Sequence, residues 1–359
     1  MRAAVKTICL VMIVRNEEAV IRRCLESVKL IIDYWIICDT GSTDGTQQLI
    51  KESLDGIPGT LHEVPWVDFG RNRTIALQLA RGKADYHLLV DADMIANIRG
   101  EFREKLTADA YLIRSEGPVD YYVERLVSDR HQWRYVGATH ECICSETART
   151  KEKLHELSIT HFEDGGMRAD KFQRDIGLLK KDLETDPNNG RCVFYLAQTY
   201  RDLGNLPQAI EWYEKRASLG GWAEEVWYSM YQVARLQHRL GLARPFVLCS
   251  YLAAYQFRPT RLEPLFHVAK FYRENQHYQL GYLFSRAIVD TPYPDDILFI
   301  EKSIYGYQLP QEYAICCYWI GKHKEAVRVN DAIIACCGVP ENYRETAIKN
   351  RELSLKAEM

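Results

Sequence analysis

The sequence predicts an α/β domain followed by an all-α domain, and three observations predict this architecture. Short apolar runs alternate with helical stripes over the first part of the chain, which indicates strands and helices around a Rossmann-like sheet. The run at residues 86–90 ends in two carboxylates, Asp91 and Asp93. From about Asp170 onward, small and aromatic residues recur at the spacing of helix pairs.

The first strand is predicted over residues 8–14, an apolar run that ends at Arg15. Apolar residues at helical spacing follow it and predict the first helix: Val20, Ile21, Cys24, Leu25 and Val28. The second strand, residues 34–38, ends at Asp39. The loop after it contains two glycines and three residues that can cap the second helix: Ser42, Thr43 and Asp44.

A weaker third strand near residues 61–64 leads to an Ala- and Leu-rich helix, and residues 86–90 form the fourth strand. Its apolar character suits a central strand that is covered on both faces. Ligand sites in such sheets collect at the carboxyl ends of the strands, where Asp91 and Asp93 stand. Alone, Asp-x-Asp more often marks a solvated turn or a helix cap, so its context must decide.

Downstream, aromatic runs with a period of two predict the mixed half of the sheet, at residues 110–113, 119–126 and 133–141. A last strand-like run, residues 157–161, ends in a histidine, and Asp164, Gly165 and Gly166 form a loop after it. The chain has neither a Walker-type Gly-Lys-Ser/Thr loop nor a G-x-G-x-x-G motif. The main sequence motifs that would indicate nucleotide hydrolysis or hydride transfer are therefore missing.

Three segments, residues 13–18, 39–46 and 91–93, resemble in order and separation the motifs of family 2 glycosyltransferases of the GT-A fold. The resemblance covers about residues 7–165. It implies an enzyme that transfers a sugar from a nucleotide diphosphate donor, with a UDP-sugar favoured, and inverts the anomeric carbon. The acceptor stays open between a peptide or protein side chain and a glycan.

The resemblance also implies donor-site roles. Asp39 resembles the carboxylate that binds the nucleoside, although a simple Asx turn before Gly41 is the alternative. The backbone around Val14 and Arg15 resembles the edge on which the base rests. The full set of expected nucleotide-sugar contacts is Val14, Arg15, Glu17, Asp39, Arg71, Asn72, Asp91, Ala92 and His140.

Asp91 and Asp93 are expected metal ligands, because carboxylate oxygens favour Mn²⁺ or Mg²⁺ over zinc. His161 is the third expected ligand, by resemblance to the C-terminal histidine that completes metal or diphosphate coordination in many GT-A enzymes, and a structural role is its alternative. Such an ion stabilises the negative charge that develops on a diphosphate leaving group. Glu141 is the predicted catalytic base, by resemblance to the acidic residue that the fold carries in this place. His140 could instead contact phosphate or metal, and an ordinary exposed strand end is the alternative for both residues.

In the second part, residues 194–217 follow the spacing of a tetratricopeptide helix pair, and three later segments repeat it less regularly: 226–255, 265–287 and 313–333. We therefore expect a GT-A domain over residues 1–168 and a helical tetratricopeptide-like domain over 169–359, similar to the peptide glycosyltransferases of the sublancin type. Stacked helix pairs leave a groove for a peptide or a surface for a homodimer.

Composition sets further limits. With 359 residues and 47% hydrophobic content, the chain can build two hydrophobic cores. Its net charge of −3 gives no reason to expect electrostatic binding to nucleic acid or anionic lipid. The apolar run at residues 8–14 is too short to span a membrane, so the sequence predicts a cytoplasmic protein. The 11 cysteines, an odd number, predict reduced thiols.

Two other classes stay open. A catalytically inactive GT-A scaffold, whose repeats bind protein partners, would have no need for acids at Asp91, Asp93 and Glu141. A metal-dependent nucleotidyltransferase would share the sheet and the cation. It normally has a basic loop after the first strand, where this chain offers only Arg15.

Overall fold

The computed structural model describes residues 5–117, 119–137, 139–162, 164 and 171–358. The chain divides into two compact units, Met1–Pro187 and Asn188–Met359. The predicted domain boundary, between residues 168 and 169, and the predicted loop glycines Gly165 and Gly166 lie outside the described residues. That boundary stays a prediction.

The described strands are β1 (Ile8–Val14), β2 (Tyr34–Asp39), β3 (Gly59–Glu63), β4 (Tyr86–Leu89), β5 (Met94–Ile98), β6 (Ala110–Glu116), β7 (Tyr121–Ser128), β8 (Arg134–Val136), β9 (Cys142–Cys144) and β10 (Lys151–His161). Eight of them form one sheet in the order β3-β2-β1-β4-β7-β6-β10-β5. The first four strands are parallel neighbours, β7 is antiparallel to β4 and β6, and β5 is antiparallel to β10. The predicted mixed sheet is confirmed.

The helices of the first unit are α1 (Ile21–Val28), α2 (Thr46–Ser53), α3 (Phe69–Ala80) and α4 (Lys171–Thr185). Helices α1, α2 and α3 cover the sheet on two faces. Alternate residues of β1 enter two different apolar clusters: Leu10 packs in the cluster of α1, and Val11 packs in the cluster of α3. This double burial explains why β1 has an unbroken apolar sequence.

The prediction that residues 133–141 belong to the mixed half of the main sheet is wrong. Residues 134–136 do not join the main sheet, because β8 pairs with β9 in a separate two-stranded sheet. The backbone reverses between them, with Gly137 at a φ of +105° and His140 at a φ of +50°. The reversal turns this segment back on itself and puts Glu141 directly before β9.

The second unit is helical: α5 (Gly190–Asp202), α6 (Leu206–Ser218), α7 (Ala223–Arg239), α8 (Arg244–Phe257), α9 (Glu263–Glu274), α10 (Tyr278–Ile288), α11 (Leu309–Trp319), α12 (His323–Ala335) and α13 (Glu341–Glu358). The four predicted pairs are α5–α6, α7–α8, α9–α10 and α11–α12. An irregular segment and a short π-helix, Ile304–Gln308, separate α10 from α11, which explains the uneven repeat spacing.

Arg261 lies at the centre of this unit and is fully buried. Its guanidinium lies 3.8 Å from the centroid of the Trp227 ring and pairs with Glu263 at 2.7 Å and Asp296 at 3.2 Å. It also donates to the carbonyl oxygen of Leu298 at 3.0 Å. These contacts fasten the irregular segment before α11 to the helices around it.

No helix in the described part of the chain is long and apolar enough to cross a membrane.

Candidate active site

Acidic side chains gather at one edge of the main sheet. The parallel strands β1, β2 and β4 end there, and β10 reaches the same edge with His161 because it runs parallel to β6. The chain thereby brings Glu17, Asp39, Asp91 and Asp93 to this edge from different loops. The predicted convergence at the carboxyl ends of the strands follows from this topology.

Asp39 ends β2 and is 1% exposed. Its Oδ1 atom accepts hydrogen bonds from the backbone N–H groups of Gly41 at 2.8 Å and Ser42 at 2.7 Å, so the Asx turn does form. Gly41 has a φ of +107°, a conformation that favours glycine. The Oδ2 atom of Asp39 is buried without a hydrogen-bond partner, and a buried carboxylate oxygen of this kind calls for a donor from a ligand or a water molecule.

The loops after β1 and β2 are tied together. Asn16 donates its backbone N–H to Ser42 Oγ at 2.9 Å and accepts from the N–H of Thr43 at 2.8 Å. Glu17 donates its N–H to Thr46 Oγ1 at 2.8 Å. Asn16 has a φ of +56°, which is uncommon for a residue other than glycine. These contacts, here called the loop clasp, hold the two loops in one arrangement.

Val14 and Ala92, two of the expected donor contacts, are buried at the ends of β1 and β4, and Arg15 is exposed. A contact between the base and the backbone of Val14 and Arg15 remains a prediction.

Glu17 has a buried Oε2 atom without a hydrogen-bond partner. Burial, together with the charges of Asp93 and Asp91, raises the pKa of Glu17 to about 7. The carboxyl is therefore close to half protonated near neutral pH. A cation at this edge would relieve the repulsion among these acids.

Asp91 faces two arginines. Its Oδ1 atom lies 2.5 Å from Arg73 Nη2, and its Oδ2 atom lies 3.7 Å from Arg125 Nη1. Burial acts to raise the pKa of Asp91, but the charges of Arg73 and Arg125 outweigh it and hold that pKa below its ordinary value. Asp91 is therefore ionised and already paired within the protein.

Asp93 instead faces His161, with 3.0 Å between Asp93 Oδ2 and His161 Nε2. This hydrogen bond raises the pKa of His161 above its ordinary value, against the effect of burial. Among the described residues, no group of three or more His, Cys, Asp or Glu side chains is arranged to hold a metal ion. The predicted metal set of Asp91, Asp93 and His161 stays a prediction.

Glu141 lies in the turn between β8 and β9 and forms an ion pair with Arg73, with 2.6 Å between Oε1 and Nε. Its side chain is only 12% exposed, so the alternative of an exposed strand end does not describe it. The neighbouring His140 has a φ of +50°. Strained backbone of this kind clusters at functional sites and at switch regions.

Residues 9–174 match the family model described as Glycosyl transferase family 2. The first unit carries a family 2 glycosyl transferase domain. This match supports glycosyltransferase activity in general terms. Helix pairs follow the family 2 domain, and the predicted fusion with tetratricopeptide-like repeats is confirmed.

A TPR repeat-containing protein of Synechococcus elongatus is 28% identical over 262 residues, which cover 67% of this chain. The chain spans 64% of the length of this curated relative.

Two solved structures are similar to part of the chain. MamA is 17% identical with a TM-score of 0.33, over 52% of this chain and 88% of that chain. A TPR protein of Thermus thermophilus is 11% identical with a TM-score of 0.34, over 50% of this chain and 90% of that chain.

Two residues expected near the donor phosphates of the family 2 domain differ in their surroundings. Arg71 has an exposed side chain, and its backbone N–H donates to the cap residue Asp68 at 2.7 Å. Asn72 is fully buried, accepts from the N–H of Val67 at 2.9 Å and donates to the carbonyl of Pro65 at 2.9 Å. This geometry gives Asn72 a structural role in the loop before α3, and its contact with a donor stays untested.

Sequence reasoning missed Arg73, the residue that pairs with both Asp91 and Glu141 in the family 2 domain. A signal for it existed. Arg73 precedes Ala76, Leu77 and Ala80 at helical spacing, and these three residues form the buried stripe of α3. An arginine on a buried stripe needs carboxylate partners, because an unpaired buried charge is costly.

Proposed function

We propose that the family 2 domain transfers a sugar from a nucleotide diphosphate donor, with a UDP-sugar favoured, in a metal-dependent reaction that inverts the anomeric carbon. One observation carries the proposal. Two carboxylates at the edge of the sheet, Asp39 and Glu17, each keep one buried oxygen atom without a hydrogen-bond partner. They lie on the loops that follow β1 and β2, beside the segment of Asp91 and Asp93.

In this proposal Asp39 binds the nucleoside. Its Oδ1 atom is used by the turn at Gly41 and Ser42, while Oδ2 is left to accept an N–H or O–H group of the ligand. A nucleoside offers both kinds of donor, in the N–H groups of its base and in the hydroxyl groups of its ribose. The loop clasp supports this role, because it fixes the turn that orients the carboxylate.

The donor set fits a hard divalent ion. Asp93 and His161 pair with each other, and neither makes an ion pair with an arginine among the described residues. They would hold Mn²⁺ or Mg²⁺ together with phosphate oxygens and water. When bound, the ion supplies stabilisation for the negative charge on the departing nucleotide diphosphate. Asp91 already faces the positive charges of Arg73 and Arg125. In this proposal it contributes more to positioning these side chains than to coordinating the metal ion.

Glu141 takes the proton from the acceptor in this scheme. Its ion pair with Arg73 orients the carboxylate before the acceptor arrives. The leaving group and the base lie on opposite sides of the reacting carbon in an inverting transfer, and Arg73 links the two sides through Asp91 and Glu141.

The test is calorimetric binding of UDP, GDP, dTDP and CMP, with and without Mn²⁺. The intact protein is compared with Asp93→Ala and with Asp55→Asn, an exposed acid that serves as the control. Binding of one nucleotide that requires the metal, survives Asp55→Asn and is lost in Asp93→Ala supports the proposal. Absence of binding by all four nucleotides would instead favour the scaffold with protein-binding repeats.

The acceptor is proposed to be a polypeptide, since the helix pairs of the second unit provide surfaces of the kind that bind peptides. Purified protein with the donor identified above should glycosylate peptides. Activity on free sugars or glycans alone would contradict this acceptor class. A dimeric mass in solution would support a second role for the helices, namely self-association.

A further inference from the structure

The first unit contains a cavity of about 500 Å³ that lies away from the candidate active site. The end of α3, the start of β4 and the segments that flank β8 and β9 form its walls, and His87 is part of its lining. This His87 cavity has the volume of an ordinary small-molecule site, which is about 300–1,000 Å³. His87 lies near the amino end of β4, about 13 Å along the extended chain from Asp91 at the other end.

His87 brings unpaired polar atoms to this cavity. The residue is 2% exposed, and both of its ring nitrogens are buried without a hydrogen bond. Its Nε2 atom lies 3.4 Å from Asp129 Oδ1, which also lacks a hydrogen-bond partner. The other carboxylate oxygen, Oδ2, is already used, because it accepts from the backbone N–H of Gly82 at 2.9 Å.

The pair of His87 and Asp129 is short of a donor. Burial lowers the pKa of His87 below its ordinary value, although the charge of Asp129 and the backbone carbonyl of Ala80 act in the opposite direction. The imidazole is therefore neutral at physiological pH, with one N–H donor and one acceptor nitrogen. Whichever nitrogen carries the proton, the acceptor nitrogen has no donor among the described residues. A buried acceptor of this kind calls for an O–H or N–H group from a ligand or a water molecule.

The charges around the His87 cavity balance. Three arginines line it: Arg81, Arg130 and Arg134. Arg130 pairs with Asp109 at 2.9 Å, and Arg134 lies 3.7 Å from Glu146. The charges of Arg81 and Asp129 act on His87 with opposite sign. The cavity therefore has no excess positive charge for an anion, and phosphate or carboxylate oxygens would add acceptors where a donor is missing.

The rest of the lining suits hydroxyl groups. Four uncharged side chains offer both donors and acceptors: Gln78, Gln132, Ser145 and Thr147. Leu77 and Trp133 provide apolar surface beside them. The indole of Trp133 is held in place by its N–H, which donates to the carbonyl oxygen of Ser128 at 2.8 Å. Apolar surface with a few placed polar groups is the usual lining of a small-molecule site.

We propose that the His87 cavity binds a neutral polyhydroxylated ligand, a sugar, with one of its hydroxyl groups hydrogen-bonded to His87 and Asp129. A hydroxyl group supplies the missing donor and can accept a hydrogen bond at the same time. The C–H groups of the sugar ring pack on Trp133 and Leu77. This site is separate from the proposed donor site at the carboxyl edge of the sheet and does not depend on the proposed glycosyl transfer.

The test is saturation-transfer NMR on the full chain with D-glucose, D-galactose and N-acetyl-D-glucosamine as probes, and inorganic phosphate as the anionic competitor. Asp129→Asn keeps an oxygen for the N–H of Gly82 and brings an N–H₂ group to His87, so the protein itself supplies the missing donor. Gln132→Trp puts a large side chain at an exposed lining position. Asp55→Asn, at an exposed residue, is the matched control. Thermal unfolding verifies that each variant is folded.

The expected result is binding of at least one sugar by the intact chain and by Asp55→Asn, with a dissociation constant about tenfold higher in Asp129→Asn. Gln132→Trp should also weaken binding. Phosphate should not compete. Asp93→Ala, which alters the proposed donor site, should bind the sugar as well as the intact chain does, so this proposal and the proposed function fail separately.

Absence of saturation transfer to all three sugars would overturn the proposal and leave a bound water molecule as the partner of His87. Equal binding by the folded Asp129→Asn and Gln132→Trp variants would also overturn it. Loss of sugar binding in Asp93→Ala would place the sugar at the carboxyl edge of the sheet instead. Displacement by phosphate would overturn the proposal in favour of an anion.

Discussion

Arg73 and Glu141 form a buried ion pair, with 2.6 Å between Nε and Oε1, that joins α3 to the turn between β8 and β9. The same guanidinium reaches Asp91 at the end of β4. Three separate segments of the first unit thus meet at one side chain. The position of the predicted base depends on a residue that lies on a different element.

Replacing Arg73 by alanine should lower the free energy of unfolding by about 1.5–3 kcal/mol, because Asp91 and Glu141, which are only partly exposed, each lose a charged partner. Arg71→Ala is the control: Arg71 is two positions earlier on the same helix and exposed, and it should change stability by less than about 0.5 kcal/mol. Urea unfolding monitored by circular dichroism measures both. Similar midpoints for the two variants would contradict the role of Arg73.

Asp39→Asn should keep the turn and impair the ligand site. The amide oxygen can still accept from Gly41 and Ser42, while an N–H₂ group takes the place of the Oδ2 atom. Nucleotide affinity should fall about tenfold or more, with a change in unfolding free energy below about 1 kcal/mol. Calorimetry and urea unfolding on the same samples check both parts. Unchanged nucleotide affinity would remove Asp39 from the site.

Glu17 should make the protein less stable as the pH rises. Its pKa is about 7 in the folded chain and 4.5 ordinarily, so the folded state holds a proton that the unfolded chain releases. The resulting stabilisation is complete below pH 4.5 and is lost as the pH rises through 7. In EDTA, the melting temperature should fall more between pH 5 and pH 8 for the intact protein than for Glu17→Gln. Parallel curves would refute the raised pKa.

Asp93→Asn should lower the pKa of His161, since the hydrogen bond to Asp93 is the main cause of its raised value. An NMR titration of the imidazole in EDTA measures this shift, with the resonance assigned by its loss in His161→Gln. Asp55→Asn provides the comparison and should leave the titration unchanged. A pKa that stays in place in Asp93→Asn would mean that the two side chains do not pair in solution.

Arg261→Ala should destabilise the second unit by about 3–5 kcal/mol, because it leaves the fully buried Glu263 without its arginine partner, while Asp296 keeps its ion pair with Arg258. Arg328→Ala, on the exposed side of α12, is the matched control. Differential scanning calorimetry should show a lower transition for Arg261→Ala alone. Equal transitions for the two variants would contradict the central role of Arg261.

Much of the fold follows from periodicity. The stripe of Ile21, Cys24, Leu25 and Val28 predicts α1, and all four residues are buried. The alternation of strands and helices predicts the parallel half of the sheet. By contrast, β5 was not predicted: it follows Asp93 at once, and its pairing with β10 joins residues far apart in the chain.

The site was only partly predictable. Residues at the strand ends, such as Asp39 and Asp91, are placed by topology alone. The pairing of Arg73 with Glu141 could not be predicted from spacing, because it depends on how α3 packs beside a small hairpin. Residues 134–136 show the same limit: three residues are too few to show by pattern which strand they pair with.

The loop clasp has a consequence for the engineering of donor preference. Asn16 is hydrogen-bonded to Ser42 and Thr43, and Glu17 to Thr46, so the first loop depends on the second for these hydrogen bonds. A chimera that receives only one of these loops from another transferase would inherit half of a matched pair. Residues 14–18 and 39–46 are one exchangeable cassette, and variation at the proposed nucleoside site should be introduced in both segments together.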